Sequence, residues 1–325
     1  MKLEKGDFID DLQRWHEAYI SYIKQLGKQY NTIKQYDRII SNFIEYSREY
    51  QDDMSMSEIN TLYITSYLTY IENKALTDYK SKLKGNSLSN STKITYVKTL
   101  RAFFEFISDN NDDLYTYENL FKKIKIKNKN HQEENLRYFT IDESQKLLEY
   151  LEDRIKKAKR SSLYNANRNS LLVKLMLLGG LRISEALRVK LGDFIEIQGK
   201  DAYKIKIIGK GGKDQYAYIK KSEIDKELTY FTNDAGLKDD DPIMLTRNNT
   251  PFKRENAYMI LNKLYRKANI FKSGVHILRH SFAMRLVKQN TNPLIIQKAM
   301  RHSNIATTMV YAKADEGDVL GAIGA

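Results

Sequence analysis

Four residues that suit phosphate chemistry lie near the carboxyl end of the chain. His276 and Arg279 stand three residues apart, so on a helix they share one face. His302 follows, and Tyr311 ends the run ATTMVY. Arginine offers planar, permanently charged donors to phosphate oxygens, histidine moves protons near neutral pH, and tyrosine can form a phosphate ester. Without a carboxylate, this set is poorly suited to a metal ion and well suited to holding and attacking a phosphodiester.

The order of these residues resembles the carboxy-terminal signature of the tyrosine recombinases, the lambda-integrase superfamily. In that family a His-x-x-Arg pair, a later histidine and a tyrosine nucleophile occur in the order seen here in HILRH and RHSNIATTMVY. A second segment, GGLRISEALRVKLGDF, is similar to the family's TGLRxSEL box. By this resemblance Arg182 is the first catalytic arginine and Glu185 supports the site. The chain looks most like the simple recombinases of the Xer and integron types.

The resemblance also implies a role for a lysine between two predicted strands. Apolar residues alternate over YKIKII and again, through Tyr216 and Tyr218, after a glycine-rich turn, so a β-hairpin is predicted. Tyrosine recombinases carry a general-acid lysine at this hairpin tip. Lys210 matches its position, and Lys213 is the nearby competitor.

The chemistry implied by the resemblance requires neither a metal nor another cofactor. Tyr311 would attack a backbone phosphorus, forming a 3′-phosphotyrosine and expelling a 5′-hydroxyl. His276 would accept the tyrosine proton, because the ordinary pKa of tyrosine is about 10, and Lys210 would protonate the leaving oxygen. Positive groups would hold the non-bridging oxygens by preorganised donation: Arg182, Arg279 and His302.

Composition indicates a folded, basic protein. The chain of 325 residues is long enough for two domains, and a 42% hydrophobic share with only 3 prolines favours helix-rich structure. Lysine and arginine number 54 against 41 acidic residues, giving a net charge of +13. This surplus suits a polyanionic partner, either a nucleic acid or an anionic membrane surface.

Several classes of protein are excluded by what the sequence lacks. It has no cysteine, which excludes disulfides, thiolate catalysis and thiolate metal sites. The amino-terminal residues MKLEKGDFIDDLQ have no apolar core and predict no signal peptide. The most apolar run, LLVKLMLLGGL, is interrupted by Lys174 and is too short to span a bilayer. These features predict a cytoplasmic protein that does not insert in a membrane.

Apolar residues at helical spacing predict four amphipathic helices before residue 110, with a loop over residues 77–91. Four such helices make a small bundle. The resemblance assigns residues 1–121 to a helical, SAM-like core-binding domain that contacts DNA. Basic residues of the last loop and helix are its candidate DNA contacts, although an ordinary solvated face has the same composition: Lys82, Lys84, Lys93, Lys98 and Arg101.

Residues 122–137 are predicted to link two domains. The segment FKKIKIKNKN places five lysines in eight residues: Lys122, Lys123, Lys125, Lys127 and Lys129. Such a charge run is typical of a basic linker. A linker that crosses a DNA backbone needs this composition, and so does a well-solvated tether, so both readings stay open.

Residues 138–325 are predicted to form the catalytic domain. Thr140 and Glu143 have the spacing of a capping box before a helix. A later helix, predicted to start at Pro251, carries two further candidate DNA contacts in its first turn, Lys253 and Arg254, where phosphate is favoured. The predicted fold class is mainly α with a small β-sheet. The resemblance adds a two-domain, C-shaped clamp made of a helical bundle and a mixed catalytic domain.

The resemblance implies a double-stranded recombination site as the partner, with a dimer on each site and a tetramer in synapsis. A type IB topoisomerase would share the catalytic groups but act as a monomer that reseals the same strand. A non-catalytic DNA-binding regulator would leave the catalytic residues unexplained. Chromosome-dimer resolution, mobile-element integration and a need for an activating partner protein are not distinguished by the sequence.

Two features depart from the family pattern. Arg301 stands where the family usually has glycine before the second histidine. The residues after Tyr311, AKADEGDVLGAIGA, include three glycines, whereas family members usually dock a longer helix into the neighbouring subunit. The first departure predicts an altered turn or an added phosphate contact, and the second leaves the strength of assembly open.

Overall fold

The computed structural model describes residues 1–50, 54–77, 88–127, 137–209, 212, 214–302, 304–309 and 311. Within these ranges the chain is mostly helical and has one three-stranded antiparallel sheet, which confirms the predicted fold class. Two compact units are present, Met1–Glu134 and Asn135–Ala325. None of the described helices combines the length and apolar character needed to cross a membrane.

The first unit contains the four predicted helices, which are α1 (Phe8–Gln25), α2 (Tyr30–Tyr50), α3 (Thr61–Thr77) and α4 (Asn90–Asn110). Asp7 begins α1, because its carboxylate accepts a hydrogen bond from the Asp10 backbone N–H at 2.8 Å. A 3₁₀ turn, Met56–Glu58, precedes α3 and delays its start. The predicted loop over residues 77–91 falls largely on residues 78–87, outside the described ranges.

Aromatic side chains fill the core of this unit. The largest fully buried ones are Trp15, Phe43, Tyr67, Phe103 and Phe104. Their polar atoms are satisfied, since the Trp15 indole N–H donates to the Leu3 carbonyl at 3.0 Å and the Tyr67 hydroxyl donates to the Ile39 carbonyl at 3.3 Å. Buried rings with satisfied polar atoms contribute apolar area without a desolvation penalty.

The first unit continues into the predicted linker. Ile124 and Ile126 pack partly buried against the aromatic core, while the lysines on either side of them are exposed. The Asn90 side chain donates to the Lys127 carbonyl at 2.9 Å. Residues 122–127 therefore belong with the helical unit, and the boundary between the units falls after Glu134, inside the range 122–137.

The second unit contains eight helices and three strands among its described residues. The helices are α5 (Ile141–Lys156), α6 (Arg160–Leu177), α7 (Ile183–Ala186), α8 (Lys221–Thr229), α9 (Arg254–Lys267), α10 (His276–Lys288), α11 (Pro293–Met300) and α12 (Ala306–Met309). The strands are β1 (Phe194–Glu196), β2 (Tyr203–Ile208) and β3 (Asp214–Ile219). Short 3₁₀ and π segments, Leu191–Asp193 and Tyr230–Asp234, join some of these elements.

Helix α6 is the centre of the second unit. Residues 171–177 are all buried, so the helix is covered on every side over its last two turns. It begins at Arg160, earlier than its apolar run, because the basic segment before it is also helical. The predicted capping box of α5 is confirmed, with the Thr140 N–H donating to Glu143 at 2.7 Å and the Glu143 N–H donating to Thr140 Oγ1 at 3.1 Å.

The sheet has the order β1-β2-β3, and the predicted hairpin is formed by β2 and β3. Ile205 pairs with Ala217, and both side chains are buried. Tyr216 and Tyr218 alternate as predicted but lie on the outer face, where the Lys204 ammonium is 3.8 Å from the Tyr216 ring centroid. In β3 the tyrosines therefore face solvent, and the alternate residue Ala217 faces the core.

A buried ion pair joins α6 to α8. Lys174 Nζ lies 2.6 Å from Glu227 Oε1, and the two side chains are 6% and 1% exposed. The Ser170 hydroxyl also donates to Glu227 Oε1 at 2.6 Å. Removal of one member of such a pair leaves an uncompensated buried charge, whereas joint replacement by apolar residues is often neutral.

We expect Lys174→Met to lower the free energy of unfolding by about 3–5 kcal/mol, because Glu227 would lose its countercharge. Urea denaturation followed by circular dichroism measures this loss. The double variant Lys174→Met/Glu227→Leu is the matched control and should recover most of the stability. Equal losses in the single and double variants would contradict the argument from charge and indicate a packing defect.

Candidate active site

A buried carboxylate, Glu185, joins arginines from distant parts of the chain. Its Oε1 accepts a hydrogen bond from the Arg182 guanidinium at 2.7 Å, and its Oε2 accepts one from Arg301 Nη2 at 2.7 Å. Arg279 Nη1 lies 3.9 Å from the same Oε2. Burial alone would raise the pKa of Glu185, but Arg301 and Arg182 hold it below its ordinary value. The carboxylate is therefore ionised at neutral pH and fixes the arginines around it.

Backbone carbonyls position the same arginines. Arg279 donates to the carbonyls of Gly180 and Met300. Arg182 Nη2 donates to the Arg301 carbonyl at 3.0 Å. Burial, followed by the charges of Arg182 and Arg301, lowers the pKa of Arg279 to about 9, so its guanidinium is still charged at neutral pH. Three guanidinium groups and one carboxylate thus leave an excess of positive charge at the site.

Gly180, between α6 and α7, permits this arrangement. Its φ is +64°, and a Cβ atom there would lie 2.5 Å from a ring carbon of Phe282. Both the left-handed backbone and the missing side chain are therefore required. The Phe282 ring packs directly against Gly180, and the Gly180 carbonyl accepts hydrogen bonds from Arg279 and Arg301.

The contacts of Arg301 show how an arginine is accommodated where the family usually has glycine. It follows α11 with φ 53° and ψ 46°, the left-handed conformation that commonly ends a helix at a glycine. A side chain at this conformation costs about 1 kcal/mol. Here the guanidinium contacts Glu185 and also donates to the Gly180 carbonyl at 3.1 Å, and these contacts offset the cost.

The two predicted catalytic histidines border the arginines. His276 is the first residue of α10, and its Nε2 lies 3.4 Å from Arg254 Nη2. Desolvation, then Arg254 and Arg279, lowers the pKa of His276. His302 Nδ1 lies 3.0 Å from Thr308 Oγ1, and desolvation together with Arg279 and Arg182 lowers the pKa of His302 to about 4. Both imidazoles are therefore neutral at pH 7.

Tyr311 lies in a small apolar cluster with Phe282, Ala283, Ile296 and Met300 and is only 7% exposed. Its hydroxyl is 2.5 Å from Nδ1 of His280. Burial raises the pKa of Tyr311, and Arg279 opposes this increase. The tyrosine is thus a buried, protonated hydroxyl beside a cationic group.

His280 is a site residue that the sequence motifs did not single out. The ring centroids of His276 and His280 are 6.5 Å apart, and those of His280 and Tyr311 are 5.7 Å apart. The predicted proton acceptor for Tyr311 was His276, but the imidazole in contact with the hydroxyl is that of His280. The available signal was its i+4 spacing from His276, which puts both rings on one helix face.

The structure brings five of the six predicted catalytic residues into one site, namely Arg182, His276, Arg279, His302 and Tyr311. Glu185 joins them through its contacts with the arginines. Lys210 and its competitor Lys213 lie outside the described residues, between the ends of β2 and β3. Among the described residues, no group of three or more His, Asp or Glu side chains has the arrangement of a metal site.

The predicted DNA contacts have different surroundings. Lys93 pairs with Glu72 at 2.7 Å, and Arg101 donates to the Phe121 carbonyl at 3.4 Å. Lys253 caps α9, which begins at Arg254 instead of Pro251 because Pro251 forms an isolated β-bridge with Leu245. The candidates that are exposed to solvent are Lys98, Arg101, Lys122, Lys123, Lys125, Lys127, Lys253 and Arg254. Lys82, Lys84 and Lys129 fall outside the described ranges.

Two family models match the chain. The Phage integrase family matches residues 137–317, and the Phage integrase SAM-like domain matches residues 11–126. The tyrosine recombinase XerH of Helicobacter pylori is 28% identical over 257 residues, which cover 77% of this chain and 69% of that protein. XerH of Campylobacter jejuni is 32% identical over 158 residues, 46% of this chain and 42% of that protein. XerC of Leptospira interrogans is 25% identical over 308 residues, 93% and 89% of the two chains.

Solved structures share the fold over nearly the full length. A XerH recombinase bound to a palindromic difH substrate superimposes with a TM-score of 0.80 at 21% identity, covering 99% of this chain and 98% of that one. A lambda integrase dimer bound to a core site gives a TM-score of 0.62 at 17% identity, covering 93% and 95%. Because the catalytic-domain model spans more than half of the sequence, the chain belongs to the phage integrase family and is a Xer-like tyrosine recombinase.

Proposed function

We propose that the protein is a site-specific DNA recombinase that cleaves and rejoins strands through a 3′-phosphotyrosine and a Holliday junction. The observation that carries this proposal is the Tyr311 hydroxyl, held by a neutral imidazole next to an excess of guanidinium charge. A tyrosine nucleophile and fixed cations are the groups needed to open a phosphodiester without a metal. Family membership and the named relatives support the same activity.

The arginines would bind the scissile phosphate. Glu185 and backbone carbonyls occupy some of their donors and fix the guanidinium planes, so the remaining donors are preorganised for the charge that develops on the non-bridging oxygens. The Arg182 side chain is 38% exposed and is accessible to a backbone phosphate. Without Glu185 the guanidinium groups would no longer be held in fixed orientations, which accords with the supporting role predicted for Glu185.

His302 would contribute a neutral donor. When Thr308 donates to its Nδ1, the imidazole carries its proton on Nε2. That N–H can donate to a phosphate oxygen without adding a charge that would have to be desolvated. The resemblance gives the remaining proton transfers to His276, as acceptor from Tyr311, and to Lys210, as donor to the 5′-oxygen.

The partners would be double-stranded recombination sites bound by a dimer and joined by a tetramer. A solved lambda integrase is a dimer on a core site, and a solved XerH is bound to its difH substrate. For this chain the helical unit and the basic segment 122–127 would contact DNA, with the catalytic unit placed on the cleavage site, all in the cytoplasm.

The lysines at the end of the helical unit test the DNA contact directly. Replacement of Lys122, Lys123, Lys125, Lys127 and Lys129 by glutamine should weaken binding and flatten its salt dependence. Each lost phosphate contact reduces the log–log slope by about 0.9. Fluorescence anisotropy titrations at several salt concentrations measure the slope, and unrelated DNA is the control, because phosphate contacts affect all sequences alike. An unchanged slope would mean that the segment is only a solvated tether.

Strand exchange separates recombination from the nearest rival activity. Two distinguishable supercoiled plasmids carry the same site, selected from a DNA library by binding to the protein. A recombinase joins segments of the two plasmids, whereas a type IB topoisomerase relaxes each plasmid and exchanges nothing. Exchange that disappears in Tyr311→Phe supports the proposal. Relaxation without exchange would assign the chain to the topoisomerase activity, and neither product would favour a binding regulator.

A further inference from the structure

The nucleophile is in contact with a histidine that has no assigned role. The Tyr311 hydroxyl lies 2.5 Å from His280 Nδ1, which is a short hydrogen-bonding distance. The ring of Tyr311 is packed by Phe282 on the same helix as His280 and by Met300 of α11. The packing of buried side chains therefore holds the tyrosine at His280, and the contact does not depend on two mobile surface side chains.

The surroundings of His280 keep its Nδ1 free to accept a proton. His276 and Arg279 of the same helix, His302 after α11, and Tyr311 after α12 are the titratable and charged groups that act on or contact it. Burial, then His276 and Arg279, lowers the pKa of His280 below its ordinary value. The imidazole is consequently neutral at pH 7, and with the tyrosine hydroxyl as donor its own proton is on Nε2.

His276 has a different neighbour. Its Nε2 is paired at 3.4 Å with Arg254, a cation that donates and cannot accept a proton. His276 is also more exposed than His280. The geometry thus separates the two imidazoles, with His276 beside a group suited to the DNA backbone and His280 beside the nucleophile.

We propose that His280, and not His276, takes the proton of Tyr311 as the tyrosine attacks DNA. The proposal rests on the recombinase function argued above. The bond from Tyr311 Oη to phosphorus forms, the bond from phosphorus to the 5′-oxygen breaks, the tyrosine proton passes to His280 Nδ1, and the leaving oxygen takes a proton from the general acid. In rejoining, the 5′-hydroxyl attacks phosphorus and gives its proton back to the general acid, the bond from phosphorus to Tyr311 Oη breaks, and His280 returns its proton to Tyr311.

Substitution by asparagine distinguishes proton transfer from positioning. In His280→Asn the side-chain amide oxygen would occupy nearly the place of Nδ1 and accept the same hydrogen bond, but an amide does not take up a proton at neutral pH. Single-turnover cleavage of a nicked suicide substrate is followed from pH 6 to pH 9 for the wild type, for His280→Asn and for the matched control His276→Asn. DNA binding and thermal unfolding verify that each variant is folded, and His280→Gln replaces His280→Asn if the latter is not.

We expect His280→Asn to cleave about 10²- to 10⁴-fold more slowly at pH 7, the range for loss of general base catalysis. Its rate should rise about tenfold per pH unit as tyrosine ionises by itself, whereas the wild-type rate should level off once His280 is neutral. A wild-type rate in His280→Asn, or a reduced rate with the wild-type pH profile, would overturn the proposal. The proposal is also overturned if the cleavage rate rises about tenfold per pH unit in His276→Asn and not in His280→Asn.

A different result would reject the recombinase function itself. The recombinase function requires that the wild-type protein form a covalent adduct with DNA and that Tyr311→Phe abolish this adduct. If either result is not obtained, both the function and the role of His280 are rejected. If the adduct forms and depends on Tyr311, but His280→Asn cleaves normally, only the assignment of the proton acceptor is rejected.

Discussion

Tyr311→Phe is expected to abolish covalent attachment to DNA while leaving DNA binding nearly unchanged. The substitution removes only the hydroxyl, and the ring keeps its packing against Phe282 and Met300. No other atom of the side chain can form a phosphate ester. Incubation with a nicked suicide substrate, followed by a denaturing gel, detects the adduct, and anisotropy measures binding.

Tyr230→Phe is a suitable control for that experiment. Tyr230 lies in the π segment after α8, packs against Phe231 and is not among the residues of the candidate site. It loses the same hydroxyl and should form the adduct as the wild type does. An adduct that persists in Tyr311→Phe would show that a different residue is the nucleophile.

Lys210→Ala is expected to slow cleavage of a normal phosphodiester by about two to four orders of magnitude, the usual range for loss of a general acid. A substrate with sulfur at the 5′-bridging position expels a thiolate, which needs little protonation. The variant should therefore regain most of its rate on the sulfur substrate. Single-turnover cleavage of the two substrates gives the ratio.

Two other variants complete that comparison. Arg182→Ala should not be rescued by sulfur, because in the proposed reaction the guanidinium, which Glu185 fixes, would hold the non-bridging oxygens. Lys213→Ala should behave nearly as the wild type on both substrates. Rescue of Lys213→Ala would move the general acid three residues along the hairpin. Rescue of neither lysine variant would make Lys210 a DNA-positioning residue.

Periodicity alone predicted the helices and the hairpin because their patterns are strong. Residues 171–177 form an uninterrupted buried stretch of α6 around Lys174, and β2 alternates between more and less buried side chains. The start of α9 was missed by three residues, because Pro251 satisfies the pattern of a helix start but pairs with Leu245 in a bridge. Such a bridge depends on a partner outside the helix, which the helical pattern does not contain.

Most members of the candidate site were predicted from the sequence, but their contacts were not. The spacing of Arg182, Arg279, His302 and Tyr311 is a feature of the sequence, and the structure brings these residues together. Which histidine meets Tyr311 depends on how α11 and α12 fold back on α10, and two histidines four residues apart are equivalent in a helical pattern. The role of Arg301 was likewise hidden, because its contact with Glu185 spans 116 residues of chain.

The turn after α11 contacts two arginines of the candidate site and leads to the proposed nucleophile. Its consecutive carbonyls, those of Met300 and Arg301, accept hydrogen bonds from Arg279 and Arg182, respectively, and the next residue is His302. Nine residues further on is the tyrosine. A movement that shifts this turn together with the tyrosine segment would remove one hydrogen-bond acceptor from Arg279 and one from Arg182. In the proposed reaction, the groups that would hold the phosphate and the group that would attack it would therefore gain or lose their positions together when this turn moves.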